Sequence, residues 1–137
     1  MSKNVKYGNI ANDVTLALTV PTGTKAGDVV PIGGQGLLGY AVTPIATADG
    51  PNAPGLAVGQ ASVRLLPAQI VIEVPVADSS AFDVGDIVYG AQHGDTGVVT
   101  YSTTNSGYPV GYVVAKPTAT ALHVFLGSHL DVTIDNG

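Results

Sequence analysis

Residues 82–117 read FDVGDIVYGAQHGDTGVVTYSTTNSGYPVGYVVAKP. The stretch opens with Gly85-Asp86-Ile87-Val88 and closes with Gly111-Tyr112-Val113-Val114, followed by Lys116-Pro117. A shorter version precedes it: Gly27-Asp28-Val29-Val30, then Gly39-Tyr40-Ala41-Val42, then Thr43-Pro44. The two glycines lie 12 positions apart in the first copy and 26 in the second, so the second carries 14 additional, turn-rich residues. A glycine ahead of a strand lets the chain turn through backbone angles other residues resist. The aspartate after it accepts bonds from nearby N–H groups and fixes the corner. The β-branched pairs that follow, Val29-Val30 and Ile87-Val88, suit a strand. The pattern is a turn, a strand and a return strand, used twice. It predicts an all-β barrel or sandwich-like domain with little or no helix.

The same unit assigns roles to Gly27, Asp28, Gly85 and Asp86. They are structural turns. A metal-binding or catalytic reading of the two aspartates has less behind it, because no histidine or glutamate repeats in register with both. Tyr40 and Tyr112 occupy equal places in the two copies and are read as packed rings with the hydroxyl at the rim.

Outward from these copies, Gly (18) and Pro (9) interrupt the chain almost everywhere, leaving no run for a long helix. The longest stretch free of both is 9–20. There Val14, Leu16, Leu18 and Val20 alternate with Thr15, Ala17 and Thr19, which is the period of a half-buried strand. Residues 28–32 form a short strand whose Pro31 places it at an edge or bulge. Residues 33–36 turn into a strand at 37–42, and 47–59 is a long surface loop. Residues 61–76 read as one strand with a bulge at Pro67, or as two strands with a tight corner at 66–69. Residues 77–84 hold at most one helical turn. Ile87 and Tyr89 share a face, and 93–97 is a hairpin turn leading into a return strand at 98–101. Residues 108–115 are apolar on both faces, hence central or at a subunit contact. Leu122, Val124 and Leu126 point inward from the last core strand. Residues 1–13 form an N-terminal arm, 14–127 the β domain, and 128–137 a tail. In the tail, Leu130, Val132 and Ile134 alternate with Asp131, Thr133 and Asp135, so it is a spare strand that closes the domain or pairs with a neighbour's edge.

Bulk composition narrows the function. At 137 residues the chain is one domain, and it is long enough to bury a proper core. Charged residues make up 11%, well under the roughly 25% of an average soluble domain. This fits either a surface covered by copies or partners, or simply a neutral, Thr-rich sheet. A net charge of −5 with five Lys and Arg offers no footprint for nucleic acid. Without cysteine there is neither disulfide nor thiolate chemistry. No apolar run reaches a membrane span, and the first residues lack the apolar segment of a secretory signal. A soluble product of the cytoplasm is expected.

The residues that carry chemistry do not assemble into a motif. His123 and His129 lie six positions apart, outside the helical spacing of zinc proteases. Ser128, His129 and Asp131 have the letters of a hydrolase triad, but triads converge in space and no nucleophile elbow is present. Glu73 is the only glutamate, so paired acid and base carboxylates are not evident. No phosphate-binding glycine loop occurs. The expectation is a protein that is not an enzyme and needs no cofactor or metal.

In order, VTLALTVPTGTKAGDVVPIGGQGLLGYAVTPIATAD, VGQASVRLLPAQIVIEVPV, the stretch at 82–117 and TATALHVFL resemble the capsid cement proteins of tailed bacteriophages, also called head decoration or head-stabilisation proteins. The shared order is a Thr-rich strand, a Pro-Gly turn, Gly-Asp before a strand, Gly-Tyr-Ala with Thr, a long strand, a second Gly-Asp with Val-Tyr, and a final apolar strand. The likeness covers roughly 14–127. Here the loop at 47–59 is longer and proline-rich, and Gln69 stands where a glycine is expected. The resemblance implies a β-barrel-like domain that forms homotrimers on the outer surface of the virion. It implies binding to the expanded head and bracing of the major capsid protein lattice. On that reading the arm residues Lys3, Asn4, Val5, Lys6 and Tyr7 contact the capsid. Two alternatives remain. One is a carbohydrate- or host-surface-binding β module using Tyr40, Tyr108 or Tyr112. The other is an enzyme using His93 or His129 with a nearby aspartate.

Overall fold

The computed structural model describes residues 15–93, 97–103 and 107–127. The described residues form nine strands and one short 3-10 turn. The strands are β1 (Thr15–Thr19), β2 (Val29–Ile32), β3 (Leu37–Ala41), β4 (Gln60–Leu65), β5 (Val71–Pro75), β6 (Ile87–Gln92), β7 (Val99–Ser102), β8 (Tyr108–Thr118) and β9 (Ala121–Phe125). The 3-10 turn spans Ser79–Ala81 and is capped by Asp78, whose side chain accepts from the Ser80 N–H.

The strands form two antiparallel sheets, one ordered β1-β4-β3-β2 and the other β5-β9-β8-β6-β7. The all-β expectation holds, but as a sandwich rather than a closed barrel. The five-stranded sheet curls until its outer strands β5 and β7 touch. No ladder joins them. An open apolar groove of about 320 Å³ remains, lined by Pro75, Val76, Val98 and Tyr101 among others. Pro75 explains part of the failure to close, since it offers no N–H to a partner.

Sheet order and chain order together reveal a duplication. β1-β2-β3-β4 forms the first sheet, and β5-β6-β8-β9 forms the second in the same spatial order, with β7 added. Up to the register shift after Val88, the registers match residue for residue. Leu16 pairs with Val63 and Leu18 with Ala61, as Ile72 pairs with Val124 and Val74 with Leu122. Val29 faces Tyr40 and Val30 faces Gly39, as Ile87 faces Tyr112 and Val88 faces Gly111. Tyr40 then faces Arg64, as Tyr112 faces Phe125. The turns after β1 and β5 also agree: Val20 N–H donates to Gly59 O at 3.1 Å and Val76 N–H to Thr120 O at 3.0 Å. The Gly-Asp bracket is thus the visible part of a four-stranded unit used twice. Its 14 additional residues supply β7.

The core is built from the facing sides of both sheets. Val29, Val30, Ala61, Val63, Val88, Val113, Leu122 and Val124 are completely buried. Each fully buried valine or leucine contributes about 1.5–3 kcal/mol relative to exposure. Alternation along β9, buried at Leu122 and Val124 and half-buried at Ala121, His123 and Phe125, follows the period-two reading of the sequence. β8 lies between β9 and β6, so its two-sided apolar pattern reflects a central strand. β2 is an edge strand, as Pro31 predicts.

One expectation needs correction. Residues 61–76 are not one bulged strand; β4 and β5 belong to different sheets, and the corner between them begins at Leu66-Pro67, a cis peptide bond. The parity switch across Pro67 marks the passage from one sheet to the other. Ile87 and Tyr89 share a face as expected: Val88 between them belongs to the core cluster and they do not, and Gly90 lies on the Val88 side beside Tyr108 and Val110. The ladder of β6 with β8 shifts register between Val88 and Tyr89, and the residue left over is Val110, so it is β8 that changes phase there.

Candidate functional site

The Gly-Asp turns have the same geometry in both halves. Gly27 and Gly85 adopt φ of +95° and +98°, where an L side chain is strained. Lys25 N–H donates to Asp28 Oδ2 at 2.9 Å, and Asp83 N–H to Asp86 Oδ2 at 2.8 Å. The backbone closes the turns in parallel. Gly27 N–H donates to Ala41 O at 2.7 Å and Gly85 N–H to Val113 O at 2.8 Å. Burial raises the Asp28 carboxyl above its ordinary value, opposed by the Lys25 amide and then the Lys25 charge. Both aspartates are used by their own corners, as the sequence suggests.

The second glycine of each bracket serves packing. A Cβ at Gly39 would strike Val63 Cγ1, and one at Gly111 would strike Phe125 O and lie 2.8 Å from Val124 Cγ1. Val63 and Val124 are equivalent residues on equivalent strands. The glycines let β3 and β8 pass beneath them.

Tyr40, Tyr101 and Tyr108 are used within the fold, not as a binding platform. Tyr40 and Tyr108 pack against the core. Val29 N–H donates to Tyr101 Oη at 3.3 Å, and Tyr108 Oη donates to Val29 O at 2.7 Å. Burial pushes the Tyr101 hydroxyl up to about 12, only partly offset by the bond from Val29, with Asp28 and Tyr40 adding upward shifts. Tyr108 is raised further, chiefly by burial and then by Tyr101 and Asp28.

These bonds seal a sheet edge. Ala41 N–H donates to Asp28 O, so the alternation of antiparallel bonds turns Val29 and Pro31 away from β3. The tyrosines take both polar groups of Val29, and Pro31 has no N–H. In the second half, the matching side of β6 is covered by β7 instead.

The remaining two equivalent edges differ. Val76 bonds to Thr120 and Leu126 N–H to Ile70 O, so Val71, Glu73 and Pro75 face outward from β5. A charge and a proline guard that edge. Val20 bonds to Gly59, so Thr15, Ala17 and Thr19 face outward from β1. No described residue pairs with that side of β1. Where β5 has Glu73 and Pro75, β1 has Ala17 and Thr19.

The outer face of the larger sheet carries an apolar row. Val71, Phe125, Tyr112 and Ile87 sit opposite one another across β5, β9, β8 and β6. Val71 is 53% exposed and the other three are half-buried. Beside them His123 Nε2 lies 3.2 Å from Glu73 Oε1, a solvent-exposed pair. The equivalent row of the first half is Thr15, Arg64, Tyr40 and Val29, so the stripe is peculiar to one sheet.

The proposed contact residues Lys3, Asn4, Val5, Lys6 and Tyr7 lie outside the described residues, as do Ser128, His129 and the spare strand of the tail. His93 lies 3.4 Å from Thr100 Oγ1 at the β6–β7 hairpin. Among the described residues no three of His, Cys, Asp or Glu gather as a metal site, and no helix is long and apolar enough to cross a membrane. The sequence reading missed the sealing role of Tyr101. The only trace of it was the parity Tyr101 shares with Val99 on a strand of the insertion. Compared with family models, curated proteins and solved structures, the chain finds no match.

Proposed function

We propose that this protein is a capsid decoration protein, binding the exterior of an expanded phage head as a homotrimer and stabilising the major capsid protein lattice. The observation that carries the reading is the row Val71–Phe125–Tyr112–Ile87, an apolar stripe on the outside of a charge-poor sheet. Such a row suits contact with another protein. The turn aspartates and the sealing tyrosines already have structural tasks, which leaves the body as an inert wedge. The resemblance of 14–127 to cement proteins supplies the partner. Its mechanism is linkage: a ligand that binds only the expanded shell stabilises that shell by mass action. Joined subunits add avidity.

Cosedimentation tests it. The purified protein is mixed with expanded and unexpanded heads built from the cognate major capsid protein. Pelleting with expanded heads alone is expected, weakened by Val71→Asp. Absence from the expanded-head pellet would overturn the reading.

A further inference from the structure

The open edge of β1 has a second peculiarity. Its core-facing residues Leu16 and Leu18 are only half-buried, whereas their equivalents Ile72 and Val74 on β5 are 7% and 1% exposed. Among the described residues the first half therefore lacks cover at the place where it also lacks a backbone partner. What suits both deficits is a strand with apolar residues on one face and polar ones on the other. Beyond Gly127 the sequence holds such a segment: Leu130, Val132 and Ile134 alternate with Asp131, Thr133 and Asp135.

We propose that residues 130–135 of one copy add as an antiparallel strand to the free edge of β1 in a neighbouring copy. The connection within one chain is too short for this arrangement. Leu126 is bonded to Ala68 and Ile70, in the corner just after β4, and β4 ends opposite Thr15. Gly127 thus leaves the fold at the Thr15 end of β1. An antiparallel strand must enter from the Thr19 end, about 13 Å further along at roughly 3.3 Å per residue step. The links from Gly127 to Leu130 span at most about 11 Å. Every ladder in the described fold is antiparallel. Added this way, Leu130, Val132 and Ile134 extend the cover over Leu16 and Leu18, while Asp131, Thr133 and Asp135 join the Thr-lined outer face. Head-to-tail exchange between copies makes a ring when the rotation closes. The inference deepens the self-association part of the proposed function and does not need the capsid.

The second half supplies the test variant. Ala17→Glu with Thr19→Pro copies onto β1 the guard that Glu73 and Pro75 already form on β5, so the fold tolerates the pattern. Light scattering on the full chain should give an oligomer. The guarded variant, and a chain ending at Gly127, should each fall to the mass of a single chain with an unchanged circular dichroism spectrum. In the cysteine-free background, Ala17→Cys with Thr133→Cys should oxidise to covalent multimers on a non-reducing gel. A guarded variant that stays oligomeric, or oxidation confined to single chains, would overturn the proposal. Oligomers that form but ignore expanded heads would sink the capsid reading and leave this one standing.

Discussion

Tyr108 and Val29, 79 positions apart, are joined by a 2.7 Å bond from the phenol to the backbone carbonyl. With Tyr101 at the neighbouring N–H, the second half of the molecule closes the edge of the first. Tyr108→Phe and Tyr101→Phe should each lower the free energy of unfolding by about 1–3 kcal/mol, because a buried backbone group is left without a partner. The double variant should lose less than the sum, since both act on one residue. Urea denaturation of the four proteins checks this.

The same tyrosines make the fold sensitive to alkali. The folded state holds Tyr101 protonated up to about 12, while the unfolded chain releases that proton near 10. Stability from this group is complete below pH 10 and is lost as pH rises towards 12. A shift of that size corresponds to roughly 3 kcal/mol. Urea midpoints measured from pH 8 to 11.5 should fall more steeply for the wild type than for Tyr101→Phe. Parallel curves would show that Tyr101 is not the responsive group.

Gly39 and Gly111 are equivalent but should not be equally sensitive. The atom nearest a new Cβ is a valine methyl at Gly39 and a backbone carbonyl at Gly111. A side chain yields more readily than a paired strand. Both alanine variants should be destabilised, by about 1–3 kcal/mol for overpacking at Gly39 and more at Gly111. Thermal melts rank them.

Asp28 offers a change in the other direction. Its carboxyl is raised by burial, so the folded state binds its proton more tightly than the unfolded chain. Its contribution is therefore greatest below the ordinary carboxylate range and declines as pH rises through the folded value. Asp28→Asn keeps an oxygen for the Lys25 amide and removes the buried charge. It should match or exceed the wild type at pH 7, whereas Asp28→Ala should lose about 1 kcal/mol with the turn bond. Chemical denaturation at pH 4 and pH 7 separates the two effects.

The local rules of β structure made much of this legible. The Gly-Asp corners, the alternation of Leu122, Val124 and Leu126, and the edge placement of β2 each follow from one or two neighbouring residues. What sequence reading could not supply depends on residues far apart. Nothing near Tyr101 or Tyr108 points to Val29. The parity switch at Pro67 fits a bulge or a sheet crossing equally well, and only the partners of β4 and β5 decide. The difference between β1 and β5 is likewise invisible until the duplication aligns Ala17 with Glu73 and Thr19 with Pro75. As for the candidate site, the apolar row emerges only when four strands are set side by side.

The repeated unit has a consequence for directionality. Two identical halves would present identical rims, and such a molecule would have no front or back. Here one rim is closed by phenols, one is fenced by an acid and an imino acid, and one has no partner among the described residues. The divergence of a few side chains turns a symmetric plan into a body with distinct poles, which would give any assembly of such subunits a defined sense of attachment.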